Sequence, residues 1–546
     1  MYRVSFILCV MVLLFAEGSA MGQGVIPRAG RDFTFGIIEG PDRLVTSDTT
    51  LHPSRHTLTI LSPFNGSGMY RSPEGDSGKF FFKANQAMTF DLPYRLTQLN
   101  DLGKTKKGVL VHTSQPANLV LIDSIPGAGD ATQLYPDEAL DTSYVVSEWG
   151  VWDDMNEKNH VQFVVTASED DTHVIIIPSS KTLLGEAANL PVASVLMKGE
   201  CYIVKADTSS SPIFLTGSTV TADKPVSVIA GTSCGYVPFG QQSCNELMDE
   251  LIGRKWWGNH FFVQPLGNSD ARVELLITSD TLFFATINGS LEVSTGKRLY
   301  SEFQGVGEIT TSSPVEMHQL TRGAVFSAVG LGDPTFVGVL PVSQYSDTMM
   351  WNTPHVVEPD FSTFNNWAPI IYPTADSSRI FLDGIALNAF PRSKLSDTIQ
   401  IINGSTWSAI NPSVNEGVHT LFSPVPIFVL ATGFQEADAY SFMPGTVGPR
   451  ALPDSTEGVH DLSVDESAAL SVSLFPNPSN SQVKIVGNEP LSNVMLIDPL
   501  GRAMRNAATN GPEVTFNIEG IPAGTYFVVA KGAMGATVRA QLTIMH

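Results

Sequence analysis

The chain has 546 residues, which is long enough for several domains with cores of their own. Charged residues make up only 16%, while Gly numbers 46 and Pro 35, a composition typical of short strands and turns and not of helices. The formal net charge of −22 argues against a nucleic-acid partner, because phosphates are bound by Lys and Arg.

The N-terminus has the pattern of a secretory signal peptide. Arg3 supplies a positive charge, an apolar run covers residues 4–15, and the small residues Gly18, Ser19 and Ala20 follow. The run is too short to span a bilayer. We therefore predict a signal peptide over residues 1–22, cleaved after Ala20 or Gly22, and a mature protein that is secreted.

The region that follows is internally repetitive, with a period near 107 residues. Its clearest phrases begin at Val161 and Val273, and weaker echoes begin at Leu58 and Ile380. Each phrase is followed by an apolar strand led by a proline: Pro116, Pro225, Pro334 and Pro426. A unit of this size suits a β-sandwich of about seven strands. The predicted fold class is therefore all-β, with tandem β-sandwich-like repeats, and a β-propeller is the alternative.

Local patterns predict individual turns and one helix. The Asn-Gly pairs that begin at Asn65, Asn288 and Asn403 predict hairpin turns, because both residue types tolerate positive φ. Alternation of apolar and polar side chains in the intervening runs supports strands. The strand-turn stretch 225–240 and the segment from Asn245 to Leu251 could together hold one short helix.

Three cysteines remain after removal of the signal peptide. Cys234 and Cys244 could close an 11-residue loop in an oxidising exterior, which stabilises a fold by about 3 kcal/mol where the geometry permits. Cys201 is then left over. We expect it to be buried, because it opens the strand-like run 201–204.

Motifs for catalysis and metal binding are weak. Residues 231–235 match the Gly-x-Ser-x-Gly pattern of serine hydrolases, but no helix follows, as a nucleophile elbow requires. No His-Glu-x-x-His pair is present. The acidic pair Asp153–Asp154 and the run from Glu169 to Asp171 could ligate Ca²⁺, although solvated turns are the simpler interpretation. We predict no catalytic residue and no cofactor.

Aromatic residues offer a further candidate surface. Exposed tryptophans would form a carbohydrate- or protein-binding patch, since aromatic anchors dominate binding hot spots. The candidates are Trp149, Trp152, Trp256, Trp257 and Trp367. We favour a core role, because Trp257 and Trp367 recur with the repeat, 110 residues apart.

One stretch of the body carries a family resemblance. It runs from Leu215 through Cys234-Gly-Tyr-Val-Pro238 and Cys244 to the strand Trp257-Gly-Asn-His-Phe-Phe-Val263. It resembles the N-terminal domain of the IgG-Fc-binding protein family. The resemblance implies an extracellular, non-catalytic, adhesive or ligand-binding domain, which we place at residues 50–445. It also implies structural roles for Cys234, Cys244 and Trp257-Gly258, while no binding residue of the family can be mapped.

The C-terminal part divides into a linker and a small domain. Residues 446–469 are acidic and proline-containing, as linkers are. Residues 470–546 resemble the type A C-terminal sorting domain of the bacterial type IX secretion system. The matching residues are Phe475, Pro476, Asn477, Pro478, Asp498, Gly501, Arg502, Gly524 and Tyr526.

The resemblance of this tail implies a small Ig-like β-sandwich with a predictable core. We expect its interior to contain Val494, Leu496, Val514, Phe516, Ile518, Tyr526, Val528, Leu542 and Ile544. It also implies recognition by the type IX secretion machinery of a Gram-negative bacterium. Removal of the tail and attachment to the outer-membrane surface would follow.

These observations together predict a secreted or cell-surface binding or adhesion protein without catalytic activity. Its partner would be an extracellular protein or glycan whose identity the sequence leaves open. One alternative is a secreted hydrolase with a propeller or sandwich body, which requires a concave pocket with converging carboxylates. The other is a passive surface-layer component, which requires assembly with copies of itself.

Overall fold

The structure is a computed structural model that consists almost entirely of β-strands. It describes residues 24–40, 43–44, 51–52, 55–125, 128–150, 160–209, 213–238, 244–267, 271–323, 332–354, 363–391, 395, 400–402, 404–435, 438–446, 472–487, 490–498, 502–509, 511–532 and 537–545. The chain separates into two compact units, Met1–Ala451 and Leu452–His546. In the described ranges, no helix is long and apolar enough to cross a membrane. The predicted signal peptide lies outside these ranges, as does most of the predicted linker.

The first unit contains four successive groups of strands. The first group is β1 (Gly30–Phe35), β2 (Arg43–Leu44), β3 (Leu51–His52), β4 (Arg55–Leu61), β5 (Gly66–Arg71), β6 (Ser77–Phe82), β7 (Met88–Asp91), β8 (Gly103–Thr105), β9 (Val109–Ile125) and β10 (Ala128–Leu134). The second group is β11 (Asp141–Val145), β12 (Val161–Ala167), β13 (Thr172–Ile177), β14 (Val192–Leu196), β15 (Cys201–Lys205), β16 (Thr219–Tyr236) and β17 (Cys244–Glu250).

The remaining two groups follow in the same order. The third group is β18 (Gly258–Val263), β19 (Arg272–Thr278), β20 (Phe284–Ile287), β21 (Ser290–Val293), β22 (Arg298–Gln304), β23 (Gly307–Leu320) and β24 (Phe336–Gly338). The fourth group is β25 (Ser346–Asn352), β26 (Asn365–Trp367), β27 (Ile370–Pro373), β28 (Phe381–Leu382), β29 (Ile385–Ala386), β30 (Gln400–Ile401), β31 (Trp407–Ile410), β32 (Ser413–Val414), β33 (Val418–Val429), β34 (Ala431–Gln435), β35 (Asp438–Phe442) and β36 (Gly445–Thr446). Single 3₁₀ turns lie at Tyr94–Leu96, Asp137–Ala139, Arg254–Trp256, Val342–Gln344, Thr374–Asp376 and Leu387–Ala389.

The four groups share one strand topology and are therefore true repeats. In each, a long strand (β9, β16, β23 or β33) pairs with a first strand (β1, β11, β18 or β25) and a centre strand (β4, β12, β19 or β27). The long strand also pairs with a two-stranded hairpin: β5–β6, β13–β14, β20–β21 or β28–β29. The prediction of tandem repeats is confirmed, and the phrases at Leu58, Val161 and Val273 all lie in centre strands.

A proline marks the same position in all four long strands. Pro116, Pro225, Pro314 and Pro426 each lie directly before the residue that pairs with the start of the first strand, where every pairing shifts register. Proline suits this site because it lacks the N–H that a regular ladder requires. In three repeats a serine hydroxyl after the centre strand donates to the prolyl carbonyl: Ser62, Ser168 and Ser279.

Two of the predicted repeat positions are wrong. The counterpart of Pro116 in the third repeat is Pro314, whereas Pro334 precedes β24. The fourth centre strand is β27, whereas Ile380 precedes the hairpin strand β28. Strand β1 also pairs with β9, so the first repeat includes residues N-terminal to the predicted start at residue 50.

Each repeat is a curled pair of sheets, not a propeller blade. In the first repeat, β6-β5-β9-β1 and β7-β4-β9-β10 share the long strand, and their inner residues form one core. Phe33, Leu58, Phe80 and Leu119 come from different strands and meet in it. A blade would instead be a single sheet of four strands. This arrangement supports the sandwich-like prediction.

Hydrophobic cores cross every boundary between neighbouring repeats. The core of the first repeat includes Val164 and Met248 of the second, and Trp149 of the second packs with Phe336 of the third. The third and fourth repeats share one large cluster, and the fourth packs against Val120 and Ala131 of the first. The four repeats therefore close into a ring.

Residues near the beginning of the described part of the chain hold this ring closed through hydrogen bonds. The backbone N–H of Ile26 donates to Oε1 of Gln344 at 2.7 Å, and the buried guanidinium of Arg28 donates to Oγ of Ser346 at 2.7 Å. Both acceptors belong to the segment that opens the fourth repeat. The two ends of the ring are thus joined by backbone and side-chain hydrogen bonds.

The three predicted hairpin turns and the predicted short helix had different outcomes. Asn288 and Gly289 both have positive φ and join β20 to β21, as predicted. Asn65 does not form a hairpin turn: it precedes β5, and its Oδ1 accepts from the N–H of Ala84 at 2.9 Å. Asn403 lies outside the described residues. The short helix expected within residues 225–240 and 245–251 is wrong, because the first stretch belongs largely to β16 and the second to the buried strand β17, which pairs with β16.

The second unit is a small two-sheet domain. Its strands are β37 (Val472–Phe475), β38 (Gln482–Gly487), β39 (Leu491–Ile497), β40 (Ala503–Ala508), β41 (Glu513–Asn517), β42 (Gly524–Gly532) and β43 (Thr537–Ile544). They form the sheets β37-β38-β41 and β40-β39-β42-β43. Eight of the nine predicted core residues are buried, and Val514 packs against them half-buried.

Candidate functional site

The centre of the ring is formed by one strand from the C-terminal part of each repeat. Strands β10, β17, β24 and β35 contact one another in cyclic order, and we call this region the central junction. Its side chains include many polar groups that are fully buried. Burying polar groups costs free energy unless they are paired, so their partners decide what the junction can do.

Asn245 connects all four repeats. Its Oδ1 accepts from the N–H of Gly129 at 2.8 Å, and its Nδ2 donates to the carbonyl of Gly129 at 2.6 Å. The same Nδ2 lies 3.0 Å from the carbonyl of Pro334 and 3.4 Å from that of Ala439. Gly129, Pro334 and Ala439 belong to the first, third and fourth repeats. This one side chain therefore contacts backbone groups of the three other repeats, and its two Nδ2 hydrogens can serve the carbonyls of Gly129 and Pro334.

Two carboxylates of the junction support neighbouring backbone. Asp130 accepts from its own next N–H at Ala131, at 2.9 Å, and from the N–H of Met248 at 3.1 Å. Asp438 accepts from the N–H of Ala439 at 2.8 Å. Burial raises the pKa of Asp130 well above its usual range, although these hydrogen bonds oppose the shift.

A second pair of carboxylates lies beside them without donors. Glu246 and Asp123 are fully buried, and no described residue donates a hydrogen bond to their side-chain oxygens. Nδ1 of His56 is 3.2 Å from Asp123. Burial, and next the charge of Asp123, raise the pKa of Glu246 well above its usual range. A raised pKa favours the uncharged, protonated form of Glu246.

A small cavity lies at the same junction. Residues of all four repeats line it, including Tyr135, Glu250, Glu316, His318 and Met443. Its volume of about 10 Å³ holds one water molecule at most. Burial raises the pKa of Glu250 to about 8 and that of Glu316 well above its usual range.

The junction is therefore suited to holding the repeats together and not to processing a substrate. Its carboxyls are enclosed, and the cavity has no room for a sugar or peptide. Among the residues that the structure describes, no three His, Cys, Asp or Glu side chains converge to hold a metal ion. The acidic run from Glu169 to Asp171 is exposed at a turn, and Asp153–Asp154 lies outside the described residues.

The outer surface of the ring carries exposed apolar side chains, in contrast to the buried polar side chains of the central junction. In every repeat, the outward side of the hairpin and the strand beside it carries large apolar side chains that are 37% to 79% exposed. These residues are Met69 and Phe81 in the first repeat, Ile175, Ile177 and Val195 in the second, Phe284, Leu291 and Val293 in the third, and Phe381 and Phe422 in the fourth. We call these four surfaces the hairpin faces.

Strand register makes the hairpin faces of the third and fourth repeats contiguous. Phe284 lies opposite Val293, with Leu291 two residues further along, and Phe381 lies opposite Phe422. Side chains opposite each other on one side of a sheet are within contact distance. Scattered apolar side chains are ordinary on a protein surface, whereas grouped ones indicate a surface that binds something.

The cysteines lie as predicted. Cys234 and Cys244 form a disulfide that ties β16 to β17, with their Cα atoms 5.2 Å apart. Cys201 is buried, and burial raises the pKa of its thiol to about 12, so it is unreactive at neutral pH.

The hydrolase-like motif is built into a strand. Residues 231–235 lie inside β16, and Ser233 is fully buried, with its Oγ accepting from the N–H of His160 at 2.8 Å. A fully buried serine within a strand cannot be presented to a substrate as a nucleophile elbow presents it.

The tryptophans belong mainly to the core. Trp257 and Trp367 lie in one cluster, as expected from their spacing, and Trp149 is also buried. Trp256 is half-buried, and its Nε1 donates to the carbonyl of Ala139 at 2.7 Å. Trp152 lies outside the described residues. Sequence reasoning overlooked the hairpin faces because their residues are Phe, Leu, Ile, Val and Met, spread over strands far apart in the chain.

The motif residues of the tail occupy turns and strand ends. Arg502 donates from its N–H and Nε to the carboxylate of Asp498 at 2.8 and 2.7 Å. The hydroxyl of Tyr526 donates to the carbonyl of Pro522 at 2.9 Å, and Oδ1 of Asn477 accepts from the N–H of Thr543 at 2.9 Å. Phe475 is 75% exposed, and Gly501 lies outside the described residues. Most of these residues therefore shape the domain, while Phe475 is free to contact another protein.

Each of the two units matches a known protein family. Residues 130–433, more than half of the chain, match the family described as IgGFc binding protein, and residues 473–544 match the secretion system C-terminal sorting domain. The human IgGFc-binding protein is 26% identical over 345 residues, which cover 61% of this chain and 6% of that protein. The sorting domain indicates export by type IX secretion machinery to the cell surface or beyond it.

Solved structures give only distant likenesses. Dimeric latent PorU from Porphyromonas gingivalis is 12% identical, with 59% of this chain and 31% of that chain covered and a TM-score of 0.12. A tetra-tandem repeat from the extending region of a large adhesion protein is also 12% identical, with 79% and 95% covered and a TM-score of 0.12. Scores this low carry no argument about fold or function.

Proposed function

The chain belongs to the IgGFc binding protein family, and we propose that it is an exported, non-catalytic protein whose four-repeat ring binds another protein outside the cell. The observation that carries this proposal is the set of four hairpin faces, each with exposed large apolar side chains. A closed ring of rigid strands holds these faces in fixed positions, which lowers the entropy lost on binding.

The partner to be tested first is the Fc region of immunoglobulin G. The human relative is named for binding it, although the chain spans only 6% of that protein's length. The ligand of the human protein is therefore a starting point for this chain, and the proposal requires a protein ligand, of which Fc is one candidate.

The two alternatives make different demands on the structure. A hydrolase needs perturbed carboxyls in an open cleft, whereas Glu246, Glu250 and Glu316 are enclosed at the central junction. A passive surface-layer component needs to associate with itself, and a net charge of −22 opposes the approach of like chains. These two observations favour the binding proposal.

We further propose how the chain is processed. A signal peptide over residues 1–22 directs the first export step, and the sorting domain at 470–546 directs the second. Cleavage within 446–469 then releases a body, residues 50–445 with the β1 segment before them, that attaches to the outer-membrane surface. Mapping of both mature termini by mass spectrometry tests this order of events.

Binding is tested with the secreted chain on sensors coated with human IgG Fc or with matched Fab. We expect saturable binding to Fc and none to Fab. If neither binds, a pull-down from host secretions with the same immobilised chain identifies any other protein ligand. A chain that captures no protein in either experiment, or one that turns over a polymer substrate, contradicts the proposal.

A further inference from the structure

The hairpin face of the first repeat differs from the other three in its side chains. Phe81 lies opposite Ser67, and Lys79 lies opposite Met69, which in turn lies opposite His112 on β9. Because strand side chains alternate, Phe81, Lys79, Met69 and Arg71 all point outward. The neighbours of Phe81 confirm this alternation, since Phe80 and Phe82 are buried while Phe81 is 79% exposed.

This face carries positive charge that is free to bind. Within the described part of the chain, the structure gives Arg71, Lys79 and Lys83 no ion-pair partner, and all three are exposed. The acidic residue nearest in the hairpin, Asp76, is engaged by Arg95. Only Glu74, at the hairpin turn, opposes the three cations within this segment.

The charge of this face is opposite to that of the whole protein. The chain carries a net −22, yet the outward face of this hairpin presents Arg71 and Lys79, and Lys83 directly follows β6. The corresponding hairpin strands β13–β14, β20–β21 and β28–β29 contain no Lys or Arg. The cationic face is thus a local feature of the first repeat and not a consequence of overall composition.

We propose that the outward face of β5–β6, formed by Met69, Arg71, Lys79, Phe81 and Lys83, docks an acidic protein. Phe81 would contact an apolar side chain of that partner, while Arg71 and Lys79 pair with surrounding carboxylates. Aromatic residues, Met and Arg are enriched in protein interfaces, and this face combines Phe81, Met69 and Arg71. Charge complementarity then selects acidic partners and speeds their encounter. This inference rests on the proposed function and specifies its partner class.

The test uses three synthetic peptides and the full secreted chain. One peptide alternates Glu with Leu, the second replaces Leu by Ser at the same charge, and the third replaces Glu by Lys. We expect the Glu–Leu peptide to bind about tenfold more tightly than the Glu–Ser peptide, as expected when an apolar anchor is lost. The Lys–Leu peptide should not bind, and binding of the Glu–Leu peptide should weaken with added salt.

Variants locate the binding on the chain. Phe81→Ser should weaken the Glu–Leu peptide about tenfold, and Arg71→Glu combined with Lys79→Glu should abolish binding. Leu190→Ser, at a position that is 59% exposed and lies outside the hairpin faces, is the matched control and should leave affinity unchanged. Thermal unfolding of each variant verifies that the fold is retained, because these side chains are exposed.

Several outcomes overturn the inference. Equal affinity of the wild type and Phe81→Ser, or equal binding of the Lys–Leu peptide, removes the assigned face. Binding of heparin without binding of the Glu–Leu peptide indicates an anionic glycan site instead. Self-association that Phe81→Ser abolishes, without peptide binding, assigns the face to a second copy of the chain. If Fc or another protein binds while the peptide does not, this inference fails and the proposed function stands.

Discussion

The central junction and the hairpin faces reverse the usual distribution of side chains. The junction is buried and rich in Asp, Glu, Asn and His, whereas the hairpin faces are exposed and rich in Phe, Leu, Ile and Val. Polar groups in the interior form hydrogen bonds only in one arrangement, so they specify how four similar repeats fit together. Apolar side chains that the chain leaves exposed remain available for a partner.

This comparison makes its largest prediction for Asn245. Replacing it by Leu leaves the N–H of Gly129 and the carbonyls of Gly129 and Pro334 buried without partners. We expect the free energy of unfolding to fall by about 4 kcal/mol, measured by urea denaturation. Asn388→Ala, at an exposed position, is the control and should change it by less than about 0.5 kcal/mol. Equal effects would show that the junction is not a determinant of stability.

The buried acids predict a dependence on pH. Burial raises the pKa of Glu250 from 4.5 to about 8 in the folded chain. Between these two pH values the carboxyl of Glu250 is ionised in the unfolded chain but protonated in the folded chain. Folding therefore takes up a proton, and the free energy of unfolding falls as pH rises. We expect the unfolding free energy to drop by about 3 kcal/mol from pH 5 to pH 9.

Glu250→Gln is the control for this titration. It removes the titrating group while keeping an oxygen that can accept from the N–H of Tyr135. Its unfolding free energy should therefore change less with pH than that of the wild type. A wild-type chain that is more stable at pH 9 than at pH 5 would contradict the assignment.

Removal of the disulfide is expected to lower the free energy of unfolding by a slightly smaller amount. Replacing Cys234 and Cys244 together by Ser removes the link between β16 and β17. Chain entropy predicts a loss of about 2–3 kcal/mol for a loop of this length. The same double variant, compared with the wild type under reducing conditions, should show no difference. A loss that persists under reduction would indicate a packing role for the sulfur atoms.

The smallest effect is expected on the outer surface. Leu291→Ser removes an apolar side chain that is 67% exposed on the hairpin face of the third repeat. We expect the unfolding free energy to change by less than about 0.5 kcal/mol. Leu275→Ser, in the buried centre strand β19, is the matched comparison and should unfold the chain at a far lower temperature. Similar losses for both would show that the hairpin faces are covered within the chain.

Sequence reasoning succeeded where a pattern is local. The phrases at Val161 and Val273 are both seven-residue centre strands, and the Asn288-Gly289 turn needs only positive φ at two residues. It failed for the fourth centre strand because β27 has only four residues and ends at Pro373. It selected Pro334 because a regular period was assumed, whereas Pro225 and Pro314 are separated by a shorter interval.

The central junction could not be predicted because the contacts that stabilise it join residues far apart in the chain. The acidic segment from Asn245 has no apolar alternation to mark a strand, and its sequence allowed a short helix. Its polar side chains are stable in a buried strand only because backbone groups of three other repeats meet them. The disulfide was within reach, since its cysteines are close in sequence. The hairpin faces were not, since exposure depends on which side of a sheet is covered.

Hydrogen–deuterium exchange of the full secreted chain tests the contrast between the two regions most directly. The account predicts that β10, β17 and β35 exchange only when the whole ring opens, because their backbone lies inside the central junction. The edge strands β6, β14 and β21 should exchange much sooner, through local opening. Exchange of the junction strands as fast as that of the edge strands would contradict the claim that the polar interior holds the four repeats as one unit.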